Sequence, residues 1–155
     1  GTVDTIEGGD HEAYVTVTGD NNVYKHTQTD QKTSCCSGSK HLANIVTGDN
    51  NDILHEQRKN GQHQGFIEVT GDNNNIELTQ KSSNSLFADV LVTGDGHTVD
   101  ALQHGSGAHN MEINVTNGGG AYSVTTEQNS STAQTYSLTG SCTNIAGCSV
   151  SILQN

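Results

Sequence analysis

The sequence predicts an all-β fold: a flat two-sheet β-solenoid of about six coils, about 23 residues each, stacked as cross-β layers in a single domain over residues 1–155. Three observations predict it. A short motif recurs at a fixed interval, apolar residues alternate with period two on either side of it, and turn-forming residues separate the alternating runs.

The motif Val-Thr-Gly-Asp-Asn-Asn stands at 17–22, 46–51 and 69–74, with Val-Thr-Gly-Asp-Gly at 92–96. Looser copies begin at Val115 and Leu138. Its threonines are Thr18, Thr47, Thr70, Thr93, Thr116 and Thr139, spaced by 29 and then by 23 four times. The long interval holds Thr33-Ser34-Cys35-Cys36-Ser37-Gly38 and reads as an insert. Residues 1–12 read as an N-terminal partial coil and 13–155 as six repeats, with cysteine-containing inserts near 33–38 and 141–148.

Each repeat reads as strand, tight turn, strand, looser turn. Before the threonine, Ala13, Val15 and Val17, then Gly65, Ile67 and Val69, Ala88, Val90 and Val92, and Met111, Ile113 and Val115 are expected to face inward. The threonines then face outward in a column. Gly-Asp-Asn supplies the turn, because Gly and Asn tolerate positive φ. After it, Tyr24/His26, Ile53/His55, Ile76/Leu78 and Val99/Ala101 are expected inside. Stacking at about 4.8 Å places Asn22, Asn51 and Asn74 in one inward column and Gln28, Gln57, Gln80 and Gln103 in another. Their amides can hydrogen-bond along the stack. Such ladders explain how 30% hydrophobic and 4% aromatic residues suffice. The absence of proline leaves every N–H available for pairing.

Composition excludes some functions. A net charge of −11 with six Lys plus Arg disfavours nucleic acid. No run approaches the ~20 apolar residues of a transmembrane segment. The first residue is Gly1 and no leader segment is visible, as expected of a processed or trimmed chain. No Gly-x-Ser-x-Gly elbow, triad or phosphate-binding loop is present, so no enzymatic activity and no cofactor are expected. Asp20, Asp49, Asp72 and Asp95 form one column at the turn, where unit charges 4.8 Å apart repel by roughly 0.9 kcal/mol in water. Bound Ca²⁺ is one reading of that column and a solvated, salt-screened turn is the favoured one. His26 and His55 are expected to stack. Cys142 and Cys148 flank an inserted loop that a disulfide would close, while Cys35 and Cys36 suit a vicinal or intermolecular bridge. Disulfides point to an oxidising compartment.

The pattern Gly-x-x-Asn followed by Gln, at Gly19/Asn22/Gln28, Gly48/Asn51/Gln57 and Gly71/Asn74/Gln80, resembles the curlin repeats of bacterial curli fibres. Valines 17, 46, 69 and 92 stand where that family has its first Gln, and His11, Lys40, His63 and His109 stand at its leading Ser. The resemblance implies a secreted cross-β subunit of a cell-surface fibre, acting in biofilm matrix and adhesion, with its own copies as partners and a nucleator or other matrix components beside them. Exposed coil ends imply the same head-to-tail growth. Gly1–Glu7 is expected to form a strand shared across the subunit junction, with Val3 and Thr5 as part of an incomplete coil and Thr5, 13 residues before Thr18 as Gln80 is before Thr93, at the glutamine level, so that its deletion blocks polymerisation. The alternative is a monomeric solenoid that binds a glycan, ice or, with Ca²⁺, a surface.

Overall fold

The computed structural model describes residues 2–7 (backbone only), 10–30, 39–116 and 120–155. It is an all-β solenoid of parallel sheets, and no helix occurs among the described residues. The first face is one seven-stranded sheet: β1 (Thr2–Glu7), β3 (Val23–Thr29), β5 (Asp52–Arg58), β7 (Asn75–Ser82), β9 (Thr98–Gly105), β11 (Tyr122–Ser130) and β13 (Cys148–Gln154). The second face carries β2 (Glu12–Thr18), β4 (Lys40–Thr47), β6 (His63–Thr70) and β8 (Leu86–Phe87), then β10 (Asn110–Thr116) and β12 (Thr135–Ser141).

Each coil is one second-face strand, a tight turn and one first-face strand. Two-sided alternation follows from the pleat. Ile53, His55 and Gln57 are buried while Asp52 and Arg58 are exposed, and Leu42, Asn44 and Val46 are buried while His41, Ile45 and Thr47 are exposed. The core is a thin file of Tyr24, Val46, Ile53, Ile67, Val69, Ile76, Leu78, Val90, Val99, Met111, Ile113 and Val124 between the faces. Gly65 faces inward because the His55 ring fills its space: an added Cβ would lie 2.3 Å from His55 Nε2. Gly140 does the same for Tyr122, whose ring would lie 2.9 Å from an added Cβ.

Between β8 and β10 the second face stays in file. Ala88, Val90 and Val92 donate to the carbonyls of Gln64, Phe66 and Glu68 (3.0, 3.1 and 2.7 Å), and Ile113 and Val115 donate to those of Asp89 and Leu91 (3.0 and 3.2 Å). Regular pairing breaks only locally, where Leu91 takes a φ of 27°. The threonine column is real through five coils. Thr18, Thr47 and Thr70 pair in register, and backbone bonds carry that register to Thr93 and Thr116.

The expected sixth member, Thr139, is out of file. Asn114 pairs with Thr139, and Thr116 pairs with Ser141. The reason lies in the turn. Thr98 aligns with Ser123, so the path from Thr116 to Ser123 is two residues longer than that from Thr93 to Thr98. The equal spacing of Thr116 and Thr139 in the sequence therefore does not mark equivalent positions. Coil length is 23 residues in the middle of the stack and grows to 25 and 26 beyond it.

Two further expectations change at the N-terminal end. Strand β1 pairs in parallel with its own β3, and its register places Ile6, not Thr5, opposite Gln28. Ala13, Val15 and Val17 do stand in register with the inward Leu42, Asn44 and Val46, yet Val15 and Val17 are 36% and 40% exposed. Strand β2 is the first strand of its face, so nothing among the described residues covers them from the outer side.

The turn glycines fix the coil-to-coil approach. Gly19, Gly48, Gly71 and Gly94 have φ of 117°, 126°, 124° and 103°, and a Cβ on Gly71 would lie 2.1 Å from the Gly94 carbonyl oxygen. Backbone strain and that clash act together. Gly71→Ala is expected to lower unfolding free energy by about 2–4 kcal/mol, measured by denaturant titration. Wild-type stability in that variant would refute the close stacking of the turns.

Candidate functional site

The candidate site is the set of polar ladders along the stack, together with the two coil ends where those ladders stop. Its main element is a glutamine file. Gln28, Gln57, Gln80, Gln103, Gln128 and Gln154 each occupy the same inward register position on the first face. Each Nε2 donates to the Oε1 of the next, five bonds in sequence, all 2.9 Å. The second Nε2 hydrogen crosses to the other face. Gln57, Gln80 and Gln128 donate to the carbonyls of His41, Gln64 and Asn110 at 3.1, 3.0 and 2.9 Å. The glutamines thus tie coil to coil and face to face, and a buried amide so bonded carries little of the cost of an unsatisfied one. Gln128 escaped the sequence analysis because its coil is two residues out of phase. At the first rung, Gln28 Oε1 is buried and has no hydrogen-bond partner.

Asparagine closes the first three tight turns. Asn22, Asn51 and Asn74 donate from Nδ2 to the carbonyls of Gly48, Gly71 and Gly94 (2.6, 2.8 and 2.8 Å). The Oδ1 of each accepts the backbone N–H of the next position in the column, Asn51, Asn74 and His97 (2.9, 2.9 and 2.8 Å). The preceding asparagines, Asn21, Asn50 and Asn73, hold φ near 60°, and Gly96 replaces them in the fourth coil with φ 73°. His97 continues the asparagine column. Its Nδ1 accepts the Tyr122 N–H at 3.0 Å, so Nε2 carries the proton it gives to the Thr93 carbonyl at 3.0 Å.

The aspartate column is held by the backbone. Asp49, Asp72 and Asp95 each accept, through Oδ1, the N–H of the aspartate one coil earlier: Asp20, Asp49 and Asp72 at 2.6, 2.7 and 2.8 Å. These bonds offset part of the mutual repulsion without a cation. Among the described residues no group of three or more His, Cys, Asp or Glu side chains is arranged to hold a metal ion. On the outer surface of the second face, burial first and then the Glu112 and Glu68 carboxylates push the Asp89 carboxyl up.

Two buried histidines, His55 and His63, are held neutral. His26 and His55 pair in register within the core. Burial, and then the charge that His26 would carry, lower the His55 pKa to about 3, against the opposing effect of a side-chain hydrogen bond to Gln80. Burial lowers His63 to about 4 although its Nε2 donates to the Arg58 carbonyl at 2.9 Å. His109 makes the same bond to the His104 carbonyl at 2.7 Å, so the position identified as the leading residue of each repeat serves to close the looser turn. In the first such turn, buried Lys40 and Asp30 form an ion pair with His11 Nε2 3.6 Å from Asp30 Oδ2.

The Cys142–Cys148 disulfide closes the loop between β12 and β13, with Cα atoms 5.8 Å apart. Cys35 and Cys36 lie outside the described residues. No helix among the described residues is long and apolar enough to cross a membrane. No protein-family model, curated protein or solved structure matches the chain.

The depressed histidines give stability a pH dependence. The unfolded chain takes up protons below the ordinary pKa of about 6.5, while folded His55 and His63 stay neutral until about 3 and about 4. Stability is therefore complete above the unfolded value and is lost as pH falls below it. By pH 5 the loss is about 2 kcal/mol for each of the two histidines. Denaturant titrations at pH 7.5 and 5 should show it, and His55→Leu, which matches Leu78 one coil on, should remove about half of the slope. A flat profile in the wild type would show that these rings are not buried neutral.

Proposed function

We propose that this chain is a secreted structural subunit that adds head to tail into an extracellular, amyloid-like fibre of the biofilm-matrix and surface-adhesion kind. The observation that carries the reading is the one-way glutamine ladder. Every bond runs from Nε2 to the Oε1 of the following coil, leaving an acceptor at one end and a donor at the other. A second copy carries the complement of each end. The backbone supports the same reading, since β2, β12 and β13 have no strand on their outer sides among the described residues. A heterologous contact of this kind propagates instead of closing. The curlin-like Gly-x-x-Asn…Gln pattern agrees with a cell-surface fibre, and a nucleator or other matrix component is the natural starter for its growth. In this reading the chain has a mechanical rather than a catalytic role.

A specific observation favours a second reading, a monomeric glycan-binding module. Both phenylalanines, Phe66 and Phe87, lie with Tyr14 at outward positions of the second face, where Tyr14 is 65% and Phe87 39% exposed. Aromatic faces on a flat sheet suit sugar rings.

Electron microscopy and fibre diffraction of the purified protein at neutral pH separate the two. The fibre reading expects filaments with an axial repeat of about 4.8 Å. A monodisperse monomer at every concentration, retained on a polysaccharide column, would favour the binding module and remove the fibre.

A further inference from the structure

The two ends of the stack do not match as they stand. Among the described residues, seven strands lie on the first face and six on the second, and the extra strand is β1. If an incoming copy placed its β13 on β1, its β12 would sit one strand-width away from β2. Val15 and Val17 would then remain uncovered, as they are in the single chain, at 36% and 40% exposure. With β1 lifted, the incoming β12–β13 coil fits rung for rung. The register columns bring Tyr136, Leu138 and Gly140 over Ala13, Val15 and Val17. They also bring Val150, Ile152 and Gln154 over Tyr24, His26 and Gln28. Leu138 and Ile152 are themselves only partly buried in the single chain.

The glutamine file makes the same point in chemical terms. Gln28 Oε1 is the one rung acceptor left without a partner, and the residue at the rung above it is Ile6, which has no side-chain donor. Gln154 has the donor: its Nε2 otherwise reaches only the Thr135 carbonyl, at 3.4 Å.

We infer that β1 is a latch held in cis over the docking surface for a second copy, and that the β12–β13 coil of that copy displaces it, with Gln154 donating to Gln28. This inference rests on the fibre reading and adds to it where the contact forms and what guards it. While the latch is closed the chain stays monomeric. Its release opens both faces at one level.

The experiment is seeded elongation, with equal masses of sheared wild-type filaments and three soluble chains: wild type, a variant lacking Thr2–Glu7, and the full-length Ile6→Gln. Loss of the latch should raise the elongation rate about tenfold. Ile6→Gln gives β1 the missing donor, so it should raise the monomer's Tm and slow elongation several-fold. Slower or abolished growth of the truncated chain would overturn the latch and make β1 a strand shared between subunits. Unchanged Tm and rate in Ile6→Gln would overturn it independently of how well the truncated chain folds. Unseeded filaments from the truncated chain at a concentration where the wild type needs seeds would support it. Absence of filaments from all three would remove the fibre reading and the latch together.

Discussion

Translation by one strand spacing governs this molecule. Coils separated by about 4.8 Å place each side chain against the residue at the same position of the next coil, so a residue type repeated along an inward column must satisfy a copy of itself. Aliphatic side chains meet that condition by packing. Primary amides meet it by donating in one direction and accepting in the other. Ionised groups do not, which is why the aspartates stand at the turn, where backbone N–H groups reach them, and why core His55 is held neutral. Buried Lys40 avoids the conflict because its neighbours in the column, His11 and His63, are not lysines and because Asp30 pairs with it.

The same constraint explains a fold with so little apolar mass. The glutamines bond within the stack and across it, so a buried polar column adds cohesion in two directions while leaving few orphaned groups. It also gives the stack a polarity. The glutamine bonds all point one way, and the aspartate bonds are likewise uniform in direction. An array with a sense of direction keeps an unmatched donor at one end and an unmatched acceptor at the other, whatever its length. The complement of either end is the opposite end of an identical stack. In the fibre proposed above, that is the link between the repeat and assembly, and β1 is placed where it would interrupt the link.

Much of this was legible in the sequence because the first four coils repeat it almost literally. The Val-Thr-Gly-Asp-Asn-Asn motif located the tight turn, the threonine column and the asparagine brackets, and the alternation that follows it located Gln28, Gln57, Gln80 and Gln103. What remained hidden has a physical cause in each case. Thr116 to Ser123 spans two residues more than Thr93 to Thr98, and that change of phase concealed Gln128 and made Thr139 look equivalent to Thr116. His97 stands at the position that the spacing aligns with Asn74, but its bonds differ: Nδ1 accepts the N–H of the next coil as an asparagine Oδ1 does, while Nε2 turns to the Thr93 carbonyl of its own coil, a choice that no spacing rule identifies. The level of β1 differs by one residue from the sequence expectation because the turn joining it to β2 carries no motif to count from. The exposure of Val15 and Val17 depends on which face starts first, a property of the whole stack and not of any repeat.

The central claim is the register of the amide file, and side-chain amide NMR of the folded chain tests it most directly. Nuclear Overhauser contacts between Gln Nε2 protons should connect residues separated by 29, 23, 23, 25 and 26 positions, with slow solvent exchange at Gln57, Gln80 and Gln103. A uniform 23-residue step that leaves Gln128 outside the chain of contacts, or amide protons that exchange as fast as those of surface glutamines, would contradict the account.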